Sequence, residues 1–233
     1  MDLPITRSAN TDYLYNYLTG TGSNSFSKDY GLPPLSHNAA AGMMGSMAVE
    51  TGKWDLMNLD VVETKARAGR GAWQYTDGSS GAGRRAYYDA QRAQAIKSGV
   101  DPNSMAWQVK YMAEEYKGKH DPAPGKSLVS WSKPLEKFSA GKHKTAGDAA
   151  KAFTGSAASG QGYLRPGVPH FDKRQQAAEG FASLYAGRGA LEPLKGAGTA
   201  PVTQSTPAPL PTVVKPPMTA DPVMNTFNSL FIR

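Results

Sequence analysis

Cysteine is absent from this chain of 233 residues, and histidine occurs only four times. Without cysteine, neither a disulfide framework nor a zinc ribbon can form, and no thiol can act as a nucleophile. The histidines, at His37, His120, His143 and His170, are too scattered in the sequence to indicate a cluster of metal ligands. We therefore expect neither a bound metal ion nor another cofactor.

Long apolar runs are also missing. No stretch reaches the roughly 18 apolar residues that a membrane span needs, so we expect no span. The first residues, "MDLPITRSANTDYL", lack the basic and then apolar pattern of a signal peptide. If the protein acts outside a cytoplasm, we therefore expect something else to carry it there.

Dense basic patches are missing too, although the net charge is +7. That charge favours an anionic partner such as nucleic acid, a membrane surface or a bacterial cell wall. The basic residues are dispersed and are not interleaved with aromatic residues, so we expect no specific binding of nucleic acid. A Gly-x-Ser-x-Gly elbow and a phosphate-binding glycine loop are absent as well, which disfavours those catalytic classes.

Proline marks a change of composition near residue 187. Residues 191–233 hold eight of the 17 prolines, so this segment cannot bury enough apolar surface to form a core. We predict a domain over residues 1–187 and an extended Pro-rich tail over 188–233. The tail would tether the domain to a partner, with the apolar residues of "VMNTFNSLFIR" as a docking face.

Hydrophobic periodicity predicts a mostly helical domain with little sheet. Residues 20–35 read as a loop, and residues 60–76 read as short strands or irregular loops. Ser36 is the expected N-cap of the second helix, while Asp101 and Pro102 have the pattern of a helix start. The predicted helices cover residues 11–18, 36–50, 83–99, 101–118, 145–153 and 170–187.

Glu50 ends the methionine-rich helix in "GMMGSMAVETGKWD". Met43, Met47 and Glu50 follow one another at i, i+4 and i+7, so the apolar stripe leads to the carboxylate. Cleavage of a glycosidic bond needs a carboxylic acid that is still protonated near neutral pH, and an apolar setting beside a cleft raises the pKa of a glutamate accordingly. The alternative is a solvated glutamate that simply ends a core helix, and spacing alone favours that alternative.

Three glycines surround this helix end. Gly42 and Gly45 are expected to let the helix approach its neighbours closely, and Gly52 is expected to turn the chain away directly after the glutamate. Glu50 would then lie exposed at the edge of the helix packing.

Five blocks of sequence resemble, in order and spacing, the tail-associated lysozyme family of bacteriophages. They are "NTDYLYNYL", "SHNAAAGMMGSMAVETGKWD", "GRGAWQYTDGSSGAGRRAYY", "WQVKYMAEEY" and "AAKAFTGSAASGQGYLRPGVPHFDKRQQAAEGFASLYAG". The resemblance covers about residues 10–187. It implies a lysozyme-like α+β fold and a virion-associated enzyme of the phage tail that cleaves the bond between N-acetylmuramic acid and N-acetylglucosamine. Peptidoglycan would be the substrate and other tail proteins the partners.

The family pattern Ala-Gly-Ile-x-Gly-Asn-x-x-x-Glu-Ser-Gly places its catalytic glutamate on Glu50. In the following Gly-x-x-Gln-Trp-x-x-x-Arg element, Gly71, Gln74 and Tyr75 occupy the positions of Gly, Gln and Trp. Ser46 and Thr51 replace the usual Asn and Ser. The segment "DGSSGAG" is an insertion before the arginines.

Substrate contacts are expected from the side chains around this second element. Gln74, Tyr75 and Trp73 would hydrogen-bond to and stack on a sugar, although Trp73 and Tyr75 could equally be core residues. Arg85 could pair with a carboxylate of peptidoglycan. By analogy with related lysozyme-like folds, Tyr163 would approach the catalytic glutamate across the cleft.

A second carboxylate decides between two mechanisms. A hydrolysing muramidase usually adds an aspartate that activates water or stabilises the oxocarbenium ion, whereas a lytic transglycosylase uses one glutamate as acid and then as base. Asp60 is the preferred candidate partner of Glu50, and Glu63 and Asp77 are weaker ones. We leave hydrolysis and transglycosylation open.

The alternative to an enzyme is a structural tail or internal virion protein that keeps a lysozyme-like fold without activity. The surroundings of Glu50 should distinguish the two. An open cleft with an apolar wall would favour the enzyme, and a salt bridge from Glu50 to an arginine would favour the scaffold.

Overall fold

The computed structural model describes residues 3–63, 69–76, 84–119, 132–156, 158–159, 161–166 and 168–187, and these form a mostly helical domain. The helices are α1 (Ala9–Thr19), α2 (Phe26–Tyr30), α3 (His37–Thr51), α4 (Arg84–Lys97), α5 (Met105–Tyr116), α6 (Ser132–Ala140), α7 (Ala146–Thr154) and α8 (Phe171–Tyr185). Within the described ranges, β-pairing is limited to isolated bridges. The predicted fold class, mostly α with little sheet, is confirmed.

Helix α3 lies at the centre of the core and packs most extensively against α8 and α7. Its residues from Ala39 to Ala48 are buried, so the helix is apolar on every side and not on one stripe only. The predicted cap is confirmed, since the Ser36 side chain accepts a hydrogen bond from the backbone N–H of Ala39 at 3.2 Å. Helix α1 packs against α3 and α5.

Two helices were not expected from the sequence. The five-residue α2 lies inside the predicted loop, where Ser25 caps its start and Gly31, with φ of 64°, ends it. Helix α6 lies in a segment for which the periodicity predicted nothing, and it buries Leu135 and Phe138. Both are short, so local caps and a few core contacts define them better than periodicity does.

The predicted start of α5 is wrong by three residues, since the N-cap is Ser104 and not Asp101. The helix begins at Met105, with Ser104 as its N-cap, because the Ser104 side chain accepts from the backbone N–H of Trp107 at 3.3 Å. Asp101 instead accepts from the backbone N–H of Asn103 at 2.8 Å, which is a local turn. Pro102 therefore belongs to that turn and not to the first turn of the helix.

An irregular segment connects α3 to α4. Arg70 forms single antiparallel bridges with Val62 and with Tyr75, which agrees with the expected short strands or irregular loops. This segment carries several of the predicted site residues. The insertion at residues 77–83, which includes Asp77, lies outside the described residues.

The predicted Pro-rich tail at residues 188–233 also lies outside the described residues, so the domain boundary stays a prediction. No helix in the described part of the chain is long and apolar enough to span a membrane.

Candidate active site

Close packing brings the end of α3 against the start of α8. A Cβ atom added at Gly42 would lie 2.5 Å from Cβ of Ala149 in α7, and one added at Gly45 would come still closer to the backbone nitrogen of Ala178 in α8. Such distances exclude any side chain. The close packing predicted for these two glycines is confirmed.

Helices α3 and α8 run antiparallel along this contact. Gly45 lies against Ala178, and one turn further along α3 Glu50 lies against Arg174, one turn earlier in α8. Gly52, with φ of 65°, then ends α3 in the left-handed conformation that favours glycine. The helix packing thus places the carboxylate of Glu50 beside the first turn of α8.

Glu50 forms an ion pair with Arg174. Nη2 of Arg174 donates to Oε1 of Glu50 at 2.7 Å, and the two side chains are 2% and 12% exposed, respectively. Within the described part of the chain, Arg174 is the hydrogen-bond partner of this carboxylate, and Oε2 accepts no hydrogen bond. One oxygen is therefore held by the protein while the other stays available.

In addition to its bond with Glu50, the guanidinium of Arg174 donates hydrogen bonds to two backbone carbonyls. Nε donates to the carbonyl oxygen of Pro169 at 2.6 Å, and Nη1 donates to that of Ser46 at 3.0 Å. Because the side chain is almost completely buried and makes bonds in three directions, it can hardly move without breaking one of them.

Burial raises the pKa of Glu50 above the ordinary value, because desolvation disfavours the charged form. The positive charge and hydrogen bond of Arg174 oppose this effect, and the nearby charge of Glu63 raises the pKa further. His170 acts in the same direction as Arg174. The net direction is upward, which is what a general acid near neutral pH requires.

Asp60 is bound by two arginines. Its Oδ1 lies 3.1 Å from Nε of Arg70 and 3.1 Å from Nη2 of Arg92 in α4.

The carboxylate whose charge raises the pKa of Glu50 is that of Glu63. Glu63 is exposed, and its side chain accepts from the backbone N–H of Gly69 at 3.1 Å. A role for Asp60 stays a prediction, and Glu63 is a second carboxylate to test.

Two of the aromatic residues expected to bind sugar lie in the core. Trp73 is 1% exposed and makes an edge contact with Phe153 at a centroid distance of 5.7 Å. Tyr75 is 0% exposed and packs against Tyr88 at 4.5 Å. Neither ring is accessible to a sugar in this conformation. This burial agrees with the alternative stated for both residues, that they pack the core.

Gln74 lies between Trp73 and Tyr75 in the sequence and is 9% exposed. Its φ of 49° is unusual for a residue other than glycine. Nε2 donates to the carbonyl of Gly71 at 3.0 Å, while Oε1 is buried and has no hydrogen-bond partner among the described residues. An unpaired buried acceptor is costly.

Tyr163 contacts a glutamate, but a different one from that expected. Its hydroxyl donates to Oε2 of Glu115, and it lies 3.3 Å from the hydroxyl of Tyr75. Arg84 binds both oxygens of Glu115, at 2.7 and 2.9 Å. Glu115 and Tyr163 are fully buried, so this cluster reads as a stabilising network of the core.

Arg85 pairs within the chain. Its Nε lies 2.7 Å from Oδ2 of Asp89, one turn further along α4. Binding of a peptidoglycan carboxylate by Arg85 stays a prediction, and it would compete with this contact.

Arg174 was not predicted as a site residue, although the sequence contains a signal for it. Arg174, Ala177, Ala178 and Phe181 are spaced at i, i+3, i+4 and i+7, and all four are buried. A charged residue on the apolar face of a helix needs a partner in the core. The sequence does not reveal which partner, because the helix packing decides it.

No group of three or more His, Asp or Glu side chains that could hold a metal ion occurs among the described residues. The Glu50 carboxyl can supply a proton, while Arg174 is 2% exposed and holds that carboxyl in place.

The comparison with known families agrees with these observations. A family model described as phage tail lysozyme matches residues 9–185, which is more than half of the chain. No curated protein matches the chain. The chain belongs to the phage tail lysozyme family and is a lysozyme-like phage protein, and membership of this family indicates glycosidase activity in general.

Proposed function

We propose that this protein is a virion-associated peptidoglycan glycosidase that cleaves the bond between N-acetylmuramic acid and N-acetylglucosamine, with Glu50 as the general acid. It would open the host cell wall locally so that the phage tail can deliver DNA. The observation that carries the proposal is the position of Glu50, a mostly buried carboxylate with a raised pKa at the end of the central helix.

The raised pKa supports the acid role. A glycosidic oxygen becomes a good leaving group only when it receives a proton as the bond breaks. A carboxyl group that is still protonated near neutral pH can supply that proton, and general acid catalysis contributes about 10²- to 10⁴-fold in rate. The side chain of Glu50 is 12% exposed, and the proposal requires that a substrate reach it from that side.

Gln74 would contribute to substrate recognition. Its Oε1 is buried and has no hydrogen-bond partner among the described residues, so it could accept from the N–H of an N-acetyl group or from a sugar hydroxyl only after a movement of the segment around residues 69–76. Substrate contacts by Trp73 and Tyr75 would need a movement of the segment around residues 69–76, because both side chains are buried. Tyr163 would have to leave its buried contact with Glu115.

Release of soluble fragments from dye-labelled peptidoglycan tests the proposal. We expect the wild type to release dye, and Glu50→Gln to reduce the rate by about 10²-fold or more. Glu136→Gln is a matched control, since Glu136 is an exposed glutamate of α6. Equal rates for the wild type and Glu50→Gln would refute the role of Glu50.

A second candidate is a structural virion protein that keeps the lysozyme-like fold without activity. The ion pair between Glu50 and Arg174 favours it, because a salt bridge to an arginine was the feature expected of a scaffold. The raised pKa opposes this interpretation, since Arg174 only partly offsets the effect of burial. Intact peptidoglycan after long incubation with folded protein would favour the scaffold.

Virion association is part of the proposal. Residues 188–233 would bind another tail protein and hold the domain on the particle. Protein mass spectrometry of purified particles tests this, and we expect peptides of this chain in tail fractions. Their absence from the particle would contradict the proposed localisation.

A further inference from the structure

Arg174 holds one specific oxygen of the proposed acid. Its guanidinium bonds to Oε1 of Glu50 at 2.7 Å and to the carbonyls of Pro169 and Ser46 at 2.6 and 3.0 Å. The side chain is 2% exposed, so these bonds are shielded from water. One carbonyl comes from the same helix as Glu50, and the other comes from the residues that lead into α8. The carboxylate is therefore fixed relative to both helices.

We propose that Arg174 is a positioning residue for Glu50, which binds Oε1 and thereby leaves Oε2 as the oxygen that carries the reacting proton. This inference rests on the glycosidase function proposed above. It assigns a role to a residue that neither the family pattern nor the sequence analysis singled out. Arg174 itself does not touch the substrate.

Glu50 gives up one proton and takes one back in the course of the proposed cleavage. The bond between the anomeric carbon and the glycosidic oxygen breaks, and its electron pair stays on that oxygen, which takes the proton from Oε2 of Glu50. The oxocarbenium-like sugar is then attacked by water or by a hydroxyl of the same sugar, and the Glu50 carboxylate takes the proton of that nucleophile. Glu50 is thus anionic between the two steps.

Arg174 stabilises this anionic state. A fixed guanidinium next to the developing carboxylate needs no reorganisation when the proton leaves. The other charged groups that act on Glu50 are His170, at the start of α8, and Glu63, in the segment that follows α3. Of these, Arg174 is the one that bonds directly to the carboxylate.

Two substitutions separate charge from geometry. Arg174→Met removes the cation and all three hydrogen bonds. Arg174→Lys keeps the cation but cannot bond in three fixed directions. Arg7→Met is the matched control, because Arg7 pairs with the buried carboxylate of Asp12 at 2.6 Å at a different place in the fold.

The pH profile of kcat is the first readout. A general acid loses activity as the pH rises through its pKa, so the alkaline limb reports the pKa of Glu50. Without the cation, the protonated form of Glu50 is favoured further. We therefore expect Arg174→Met to move this limb to higher pH and to lower kcat on the order of 10²-fold, as expected when a reacting group is misplaced. Arg174→Lys should lower kcat while keeping the limb near that of the wild type.

The second readout is independent of activity. NMR titration of ¹³C-labelled glutamate, with the Glu50 signal assigned by Glu50→Gln, gives the pKa of Glu50 directly. We expect it to be higher in Arg174→Met than in the wild type and unchanged in Arg7→Met. If the wild type cleaves no peptidoglycan, the glycosidase function fails, and with it the positioning role, even where this titration shows the expected shift.

Two results would overturn the inference. In the first, the kcat profiles of both Arg174 variants have the same pH dependence as the wild type, and their kcat is lowered only as much as that of Arg7→Met. The second is an unchanged pKa of Glu50 in Arg174→Met. If Arg174→Met does not fold, Arg174→Lys still decides, since full kcat in that variant would show that the three-way geometry is not needed.

Discussion

Substitution of Gly45 by alanine perturbs the contact that places Arg174 beside Glu50. The added Cβ would meet the backbone of Ala178, and backbone atoms cannot move aside as the end of a side chain can. Overpacking of a core costs up to about 3 kcal/mol, and alanine regains about 1 kcal/mol in helix propensity. We therefore expect a net loss of about 2 kcal/mol in the free energy of unfolding.

Thermal unfolding followed by circular dichroism measures this loss. For a domain of this size, about 2 kcal/mol corresponds to a decrease in Tm of roughly 4 to 8 °C. Peptidoglycan cleavage should fall as well, because α8 must shift and take Arg174 with it.

Gly180→Ala is the matched control for that experiment. Gly180 is also a helical glycine of α8, but the nearest atom to its added Cβ belongs to the side chain of Ile5. We expect a change within about 1 kcal/mol, since the gain in helix propensity offsets the contact. Equal Tm values for Gly45→Ala and the wild type would refute the argument that close α3–α8 packing needs glycine.

Three further predictions concern charged residues. Because the pKa of Glu50 is raised in the folded state, its contribution to stability is present below the unfolded pKa and is lost as the pH rises through the folded pKa. The free energy of unfolding measured in urea should therefore fall more steeply with pH for the wild type than for Glu50→Gln. Parallel curves would contradict this. Glu115→Gln removes the charge that pairs with the buried guanidinium of Arg84 and should lower the free energy of unfolding by about 3 to 5 kcal/mol in chemical denaturation, whereas a change below about 1 kcal/mol would show that the pair is not stabilising. Glu63→Gln removes a charge that raises the pKa of Glu50, so the alkaline limb of activity should move to lower pH, and a shift to higher pH would contradict the assignment.

Much of the helical architecture could be predicted because local signals and packing agree. In α3, the Ser36 cap, the apolar run and the Gly52 end all indicate the same boundaries, and the structure has them. The start of α5 was misplaced because Asp101 and Pro102 also suit a tight turn, and Ser104 caps the helix instead. Two competing caps within four residues cannot be ranked by local pattern alone.

The candidate site was harder to predict because it depends on contacts between distant segments. The position of Glu50 at a helix end follows from the sequence, but its partner Arg174 lies 124 residues further along the chain. The sequence around Tyr75 and Trp73 is compatible both with rings that face a sugar and with rings in the core. The structure shows that both rings are buried. The glutamate that Tyr163 contacts could not be distinguished by pattern either, since both Glu50 and Glu115 lie on apolar helices.

The role of Glu50 is decided by mass spectrometry of purified peptidoglycan digested with the wild type and, in parallel, with Glu50→Gln. We expect the wild type to release muropeptides and the variant to release them at least about 10²-fold more slowly. Free reducing ends would identify a hydrolase and make Glu63 and Asp60 the next residues to substitute, whereas anhydro-muramyl ends would identify a transglycosylase with Glu50 alone. Glycan left intact by folded wild-type protein would contradict the account and favour the structural alternative.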